Sequence, residues 1–131
     1  MNLAKLMDEL AIAARSVQGI ARSFAYPPEK VEPPAILVAW PENIVYDATY
    51  EGGMSELLIP LFLVIGQGGT SWSRRDDIAG WLGSDVKTAI EAYPYTDSPV
   101  VVITEAIVDV VEIANIGYLA VKFMADVTVT N

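Results

Sequence analysis

Few side chains in this 131-residue chain are of the types that ordinarily do chemistry, and their spacing narrows them further. Gly66-Gln67-Gly68-Gly69 follows an apolar run and precedes a helical pattern, where a phosphate-binding loop would lie. Such a loop needs a Gly-Lys-Ser/Thr ending, in which backbone N–H groups and a lysine cradle the phosphate together, and no Lys is present. A dinucleotide fingerprint would have to use Gly66, Gly68 and Ser71 at a loose spacing, after a strand returning from a hairpin and not one opening a βαβ unit. A flexible connection is the reading these residues favour. Glu105 and Asp126 fall opposite each other on the expected C-terminal hairpin and would repel unless a cation or a partner's arginine met them. Two solvated carboxylates near a frayed edge explain them more simply, and no ligand spacing supports Mg²⁺ or Ca²⁺. Trp72 and Trp81 read as core or interface anchors before a sugar-stacking pair. The quartet Arg74-Arg75-Asp76-Asp77 reads as a solvated first helical turn, with a salt-bridging contact to a partner as the alternative.

Two absences weigh more than these motifs. With no Cys there is no disulfide, thiol nucleophile or Cys-ligated metal, and with no His the commonest general base and metal ligand is missing. Enzymes working only with carboxylates, Lys, Ser or Tyr exist, so catalysis becomes less expected without being excluded. No catalytic residue, cofactor or metal site is expected. The net charge of −9 disfavours direct binding to nucleic acid or anionic membrane, since both reward a positive patch.

Behind these residues stands a chain rich in core material. Hydrophobic residues make up 53% and charged residues 19%, which predicts one folded domain over residues 1–131 and argues against disorder. The run Leu57 to Gly66 is far shorter than the roughly 20 residues of a membrane-spanning helix. The N-terminus, with Asp8 and Glu9 soon after Lys5, does not resemble a signal peptide, so a soluble, unexported chain is expected.

Asn2 is predicted to cap a helix with an apolar stripe at Leu3, Leu6, Met7, Leu10, Ala14 and Val17, stopped by Gly19. Ile20 to Ala25 reads as a short strand. Tyr26 to Pro34 reads as an ordered, proline-bounded connection; a proline-recognition ligand is remote without a PxxP repeat. Ile36 to Trp40 is apolar throughout, like a strand buried on both faces. Asn43 to Tyr50 and Leu57 to Ile65 form a predicted hairpin turned by Gly52-Gly53, with Pro60 requiring an edge or a bulge. A second helix should start at Ser73 with Asp76 as capping partner, bury Ile78, Trp81 and Leu82, break at Gly83, and resume from a Ser84 cap over Val86, Ala89 and Ile90.

Val100 to Ile113 and Tyr118 to Val129 then form a long hairpin around Ala114-Asn115-Ile116-Gly117. Leu119, Val121, Phe123, Ala125, Val127 and Val129 share its core face. A four-residue loop would set Ala106, Val108 and Val110 opposite Ala125, Phe123 and Val121, and on the other face Asp109 opposite Lys122. That second face also carries Val101, Ile103, Ile107, Val111, Ile113 and Met124. The N-terminal helix or a neighbouring subunit is therefore expected to cover part of it. The fold class expected is α+β: a mixed, largely antiparallel sheet with an N-terminal helix and a second helical segment packed on it.

The order of these elements, with the peptides Trp40 to Met54 (WPENIVYDATYEGGM), Ser73 to Asp76 (SRRD) and Ile116 to Phe123 (IGYLAVKF), resembles the tail terminator proteins of long-tailed, siphovirus-type bacteriophages, above all versions from phages of actinobacteria. The resemblance covers nearly the whole chain and rests on element order and short signatures. It implies a hexameric ring in the virion, at the head-proximal end of the tail and assembled in the host cytoplasm. The ring would cap the tail tube, stop its polymerisation and dock the head connector, and DNA would pass through its acidic lumen without specific binding. Its partners would be other copies of the chain, the tail tube protein and a head-completion protein, with no membrane. Assembly contacts are then expected at the tip Glu51-Gly52-Gly53-Met54, along Gly66 to Trp72 (Gly68, Gly69 and Trp72 foremost), and on the C-terminal hairpin at Asp109 and Lys122. Alternatives are a neighbouring neck, tail-completion or tail-tube protein, and, from another class, a small nucleotide-binding enzyme using Gly66 to Ser71.

Overall fold

The computed structural model describes residues 2–20, 22–25, 33–46, 53–67, 75–113 and 115–130. Its elements, in order, are α1 (Leu3–Arg15), β1 (Arg22–Phe24), β2 (Ala35–Val38), β3 (Asn43–Val45), β4 (Met54–Gln67), α2 (Arg75–Gly80), a π-helical turn (Trp81–Asp85), α3 (Val86–Ala92), β5 (Val100–Ile113) and β6 (Ile116–Thr130). The fold is α+β. Six strands form one sheet in the order β1-β2-β4-β6-β5, with β3 pairing β4 beside that path. Only β1 and β2 run parallel; every other pairing is antiparallel.

Helix α1 starts where Asn2 accepts the Lys5 N–H at 3.0 Å, one of the donors that a helix start leaves unpaired. Its buried stripe includes Leu6, Met7, Leu10, Ala11 and Ala14. The helix ends at Arg15, ahead of the expected stop at Gly19. That glycine (φ 89°) instead turns the chain into β1, where an added Cβ would sit 3.1 Å from the Trp81 ring. Trp81 in turn donates its indole N–H to the Gln18 carbonyl at 2.9 Å. The second helical segment does not break at Gly83, nor does Ser84 cap a new helix, because the backbone stays helical through a π turn. Trp81 and Val86 would lie about 140° apart on an α-helix. The extra residue of the π turn brings both to the core side, where both are buried.

Both helical segments lie on one sheet face, over Ile36 and Val38 of β2, alternate residues Leu57 to Ile65 of β4, Val121 to Val129 of β6, and Val101 and Ile103 of β5. The alternation expected of β6 is therefore observed. The N-terminal helix does not cover the second face, which has its own small cluster of Ala35, Leu37, Val64 and Tyr118 with Phe24 and Phe62 against it. Strand β2 is buried on both faces as expected but ends at Val38, leaving Trp40 74% exposed.

Pro60 meets neither expectation, since β4 is an interior strand with no bulge at that point. The Pro60 carbonyl accepts from Ala39 at 3.0 Å. A strand residue directs its N–H and C=O to the same side, so the missing N–H faces the gap between the β2 ladder (Leu61 to Val64) and the β3 ladder (Glu56 to Leu58). The ladder to β6 loses nothing there. The irregularity in β4 comes later, between Val64 and Gly66. Gly66 thus lies inside a strand opposite Leu119, which removes it as the first glycine of a nucleotide-binding turn.

Candidate functional site

The final hairpin does not have the register that a four-residue loop would produce. Strands β5 and β6 are separated only by Ala114 and Asn115, and Asn115 supplies a left-handed residue (φ 64°). Ile113 therefore pairs with Ile116, and the register moves by two residues over 105–113 and by three over 100–103, beyond the shift between Ile103 and Glu105. Asp109 lies opposite Ala120, Lys122 opposite Ile107, Glu105 opposite Met124 and Asp126 opposite Val102. The two expected pairs, Asp109–Lys122 and Glu105–Asp126, are both corrected. Ala106, Val108 and Val110 face Phe123, Val121 and Leu119. Lys122 makes its ion pair with Glu42, across β4 on the second face. The Asp109 carboxylate accepts the N–H of the next residue, Val110, at 2.7 Å.

A register shift between Ile103 and Glu105 divides β5 into two unlike halves. In the first half Val101 and Ile103 are buried, and α3 blocks the strand's outer side at Ile103. Glu91 accepts the Ile103 N–H at 2.8 Å and Lys87 donates to the Ile103 carbonyl at 3.2 Å, while Lys87 and Glu91 form an ion pair with each other. The Lys87 ammonium, hydrogen-bonded to Glu91, holds that carboxyl below its ordinary value, against the opposing effect of burial.

Beyond the shift no described helix follows. Val108 and Val110 are 57% and 66% exposed although they lie on the core face, and Ile107 on the other face is 42% exposed. On β6, Phe123 opposite Ala106 and Val121 opposite Val108 are almost wholly buried, and Leu119 opposite Val110 is half-buried, so the core reaches β6 and stops one strand short of the edge. Residues 105–113 are therefore an outermost strand with apolar side chains on both faces. In an antiparallel ladder alternate residues point both backbone groups the same way. The two-residue turn directs Ile113, Val111, Asp109, Ile107 and Glu105 toward β6, and Ala106, Val108 and Val110 outward. Ile103 and Val110, whose N–H groups are met by Glu91 and Asp109 side chains, agree with this assignment.

A second exposed apolar region borders β3, where Trp40, Val45 and Tyr46 reach solvent. Gly53 is exposed and Met54 half-buried at the start of β4, opposite Thr130. Glu51, Gly52, Gly68, Gly69 and Trp72 lie outside the described residues, as do the Ser73 cap and the connection Tyr26 to Glu32. Trp81 is a core anchor.

Two clefts lined by described residues are small. One of about 30 Å³ lies between Asn2, Lys5, Glu9, Thr96 and Asp97, room for about one water. There Glu9 accepts the Thr96 N–H at 2.8 Å, and hydrogen bonding from Thr96 lowers its carboxyl pKa against the effect of burial. Another, of about 180 Å³, is lined by Asn43, Val45, Glu56, Leu58 and Asp126. It is smaller than the roughly 300–1,000 Å³ of ordinary small-molecule sites. Among the described residues no three His, Cys, Asp or Glu side chains are grouped to hold a metal ion, and no helix is long and apolar enough to cross a membrane.

Among the described residues the outer half of β5 stands out as an open sheet edge with exposed apolar side chains. The second face is half-apolar through Ile107, but Val101 and Ile103, expected on it, lie on the core face because the register shifts between Ile103 and Glu105, and the core-face residues Ala106, Val108 and Val110 are uncovered too. The available signal was the near-continuous apolar run of residues 100–113, which suits an edge awaiting cover on both faces. Compared with models of known protein families and with curated proteins, the sequence has no match.

Proposed function

We propose that this chain is a structural assembly subunit: a phage tail terminator that forms a ring on the end of the tail tube, ends its polymerisation and offers a docking surface to the head connector. The observation that carries this reading is the outer half of β5, apolar on both faces and left uncovered by the chain's own helices. A second apolar exposure lies by β3, on the other side of β4 from the hairpin. Two different surfaces on one sheet suit a subunit that meets more than one neighbour, as heterologous ring closure and stacking on a tube require. The likeness to tail terminators in Trp40 to Met54, Ser73 to Asp76 and Ile116 to Phe123 supplies the particular assembly. The acidic balance of −9 per chain suits a ring through which DNA passes without adhering.

Mass measurement in solution with negative-stain microscopy, of the chain alone and mixed with tail tubes, tests this reading. Six-membered rings of tube diameter, free or on tube ends, are expected. A monomer at every concentration that also fails to decorate tube ends would refute it.

A further inference from the structure

We infer that the outer edge of residues 105–112 is a strand-accepting site for an extended segment of a partner protein, apolar on one face and bearing Lys or Arg on the other. An edge strand with unpaired N–H and C=O groups is a template for another strand, and natural sheets normally block such edges. Elsewhere on β1 and β5 helix side chains block the edge. On β1, Arg15 donates to the Ser23 carbonyl at 3.2 Å; on β5, Lys87 and Glu91 occupy both backbone groups of Ile103. Past Ile103 no helix side chain blocks the edge among the described contacts, and the strand's own Asp109 takes only the Val110 N–H. The outward carbonyls of Ala106, Val108 and Val110 and the outward N–H groups of Ala106 and Val108 then remain in line.

The side chains around that line state what the incoming strand must carry. On the core face it would lie beside Ala106, Val108 and Val110, with the exposed Glu112 next to the turn, and apolar residues opposite the first three would extend the core by one strand. On the other face it would lie beside Glu105, Ile107 and Asp109. Both charges there are acidic, and β5 contains no basic residue; Lys122 on the neighbouring strand is engaged by Glu42. An incoming strand with Lys or Arg at alternate positions complements this face, and an acidic one is repelled.

A second copy of this chain is a poor occupant among the described strands. Strand β5 of another copy brings the same acids, β3 (Asn43–Val45) has no basic residue, and β1 offers three residues with Ser23 already held by Arg15. The inference rests on the reading of the chain as an assembly subunit only in expecting a protein partner, and the edge can be tested without rings.

The test titrates the isotope-labelled full chain with three capped decapeptides: alternating Lys and Val, alternating Lys and Ser, and alternating Glu and Val. With Lys/Val, saturable amide shifts confined to β5 and slowed hydrogen exchange at Ala106 and Val108 are expected, with binding at least about tenfold tighter than for the other two peptides. Val108→Pro should weaken binding by about tenfold or more. It should keep the wild-type spectrum elsewhere, because the Val108 N–H points away from β6. A Glu105→Lys, Asp109→Lys double variant should reverse the preference toward Glu/Val, which keeps the idea testable if the proline variant misfolds. Equal binding of Lys/Ser and Lys/Val, shifts centred elsewhere, or an unreversed preference in the double variant would overturn it. So would loss of rings in a correctly folded Val108→Pro, because a second copy would then be the occupant. Rings that persist while peptide binding is lost would support it. Strand binding by a chain that never forms rings would leave this inference standing and remove the ring reading.

Discussion

The two lateral edges of the sheet are built from the same backbone and treated in opposite ways. At β1 the edge is three residues long, and α1 closes it: Arg15 reaches the Ser23 carbonyl and side chain, while the Ser23 hydroxyl donates to the Ala11 carbonyl. At β5 the edge is 14 residues long, and α3 closes only the part it can reach. Helix α3 ends at Ala92, so Lys87 and Glu91 meet Ile103 and nothing follows them along the strand. The difference teaches that an uncovered edge here is not a general feature of a small sheet. The chain spends three charged side chains of its helices on sealing points of β1 and β5 and leaves the outer half of β5 open among the described contacts, with valines on the face that would otherwise be core.

The sharpest way to break this comparison is to truncate one side chain on each side of the core's limit. Phe123→Ala, on β6, should cost about 3–5 kcal/mol of unfolding free energy, whereas Val110→Ala, across one strand spacing and two same-face pairs along, should change it by no more than about 0.5 kcal/mol. Denaturant unfolding of both variants measures the gap. A loss above about 1 kcal/mol at Val110 would mean that the edge is packed in the isolated chain.

Smaller effects belong to the edge seals. Arg15→Ala leaves the Ser23 carbonyl without a donor it has in the folded chain and should cost about 1–2 kcal/mol. Glu91→Ala removes the acceptor of the Ile103 N–H on a more solvated surface, with an expected cost of about 0.5–1.5 kcal/mol. If the seals also limit strand addition, Glu91→Ala lengthens the open edge back to Ile103. Faster exchange of the Ile103 amide in that variant is the readout; an unchanged rate would show that α3 shields the edge by packing alone.

Much of this architecture was legible in the residues. The Asn2 cap, the stripe of α1, the alternation of β6 and the β3–β4 pairing all follow from local chemistry that the fold does not overrule. What was not legible depends on single residues or on distant reach. Asn115 in a left-handed conformation shortens the last turn from four residues to two, and that alone moves Lys122 from Asp109 to Ile107. The irregularity at Thr104 depends on where α3 delivers Glu91. Ala106, Val108 and Val110 alternate as any core strand would, and only the length of the helical layer decides that they are uncovered. Pro60 looked like an edge marker because periodicity does not show that two short strands share one side of β4 and leave a gap for it.

The mildest probe of the two regions is acid. Thr96, by hydrogen bonds from its side chain and its backbone, holds the Glu9 carboxyl below its ordinary value of 4.5. Lys87 does the same for Glu91, with the Ile103 N–H adding to it. Each group therefore stays ionised in the folded chain at a pH where the unfolded chain has taken up the proton. Over that interval the unfolded state binds more protons, so stability rises with pH. The contribution is complete above the unfolded value and is lost as pH falls through the folded one. Glu9 ties α1 to the turn before β5, and Glu91 ties α3 to the sealed half of β5, so acid should loosen the helical layer at both places. The open half of β5 contributes no such dependence through its hydrogen bonds to the helices, because it makes none among the described contacts. Unfolding free energy followed below about pH 4.5 should fall less steeply in Glu9→Gln and in Glu91→Gln than in the parent chain. Equal slopes in all three would mean that neither carboxylate is held by the contacts described.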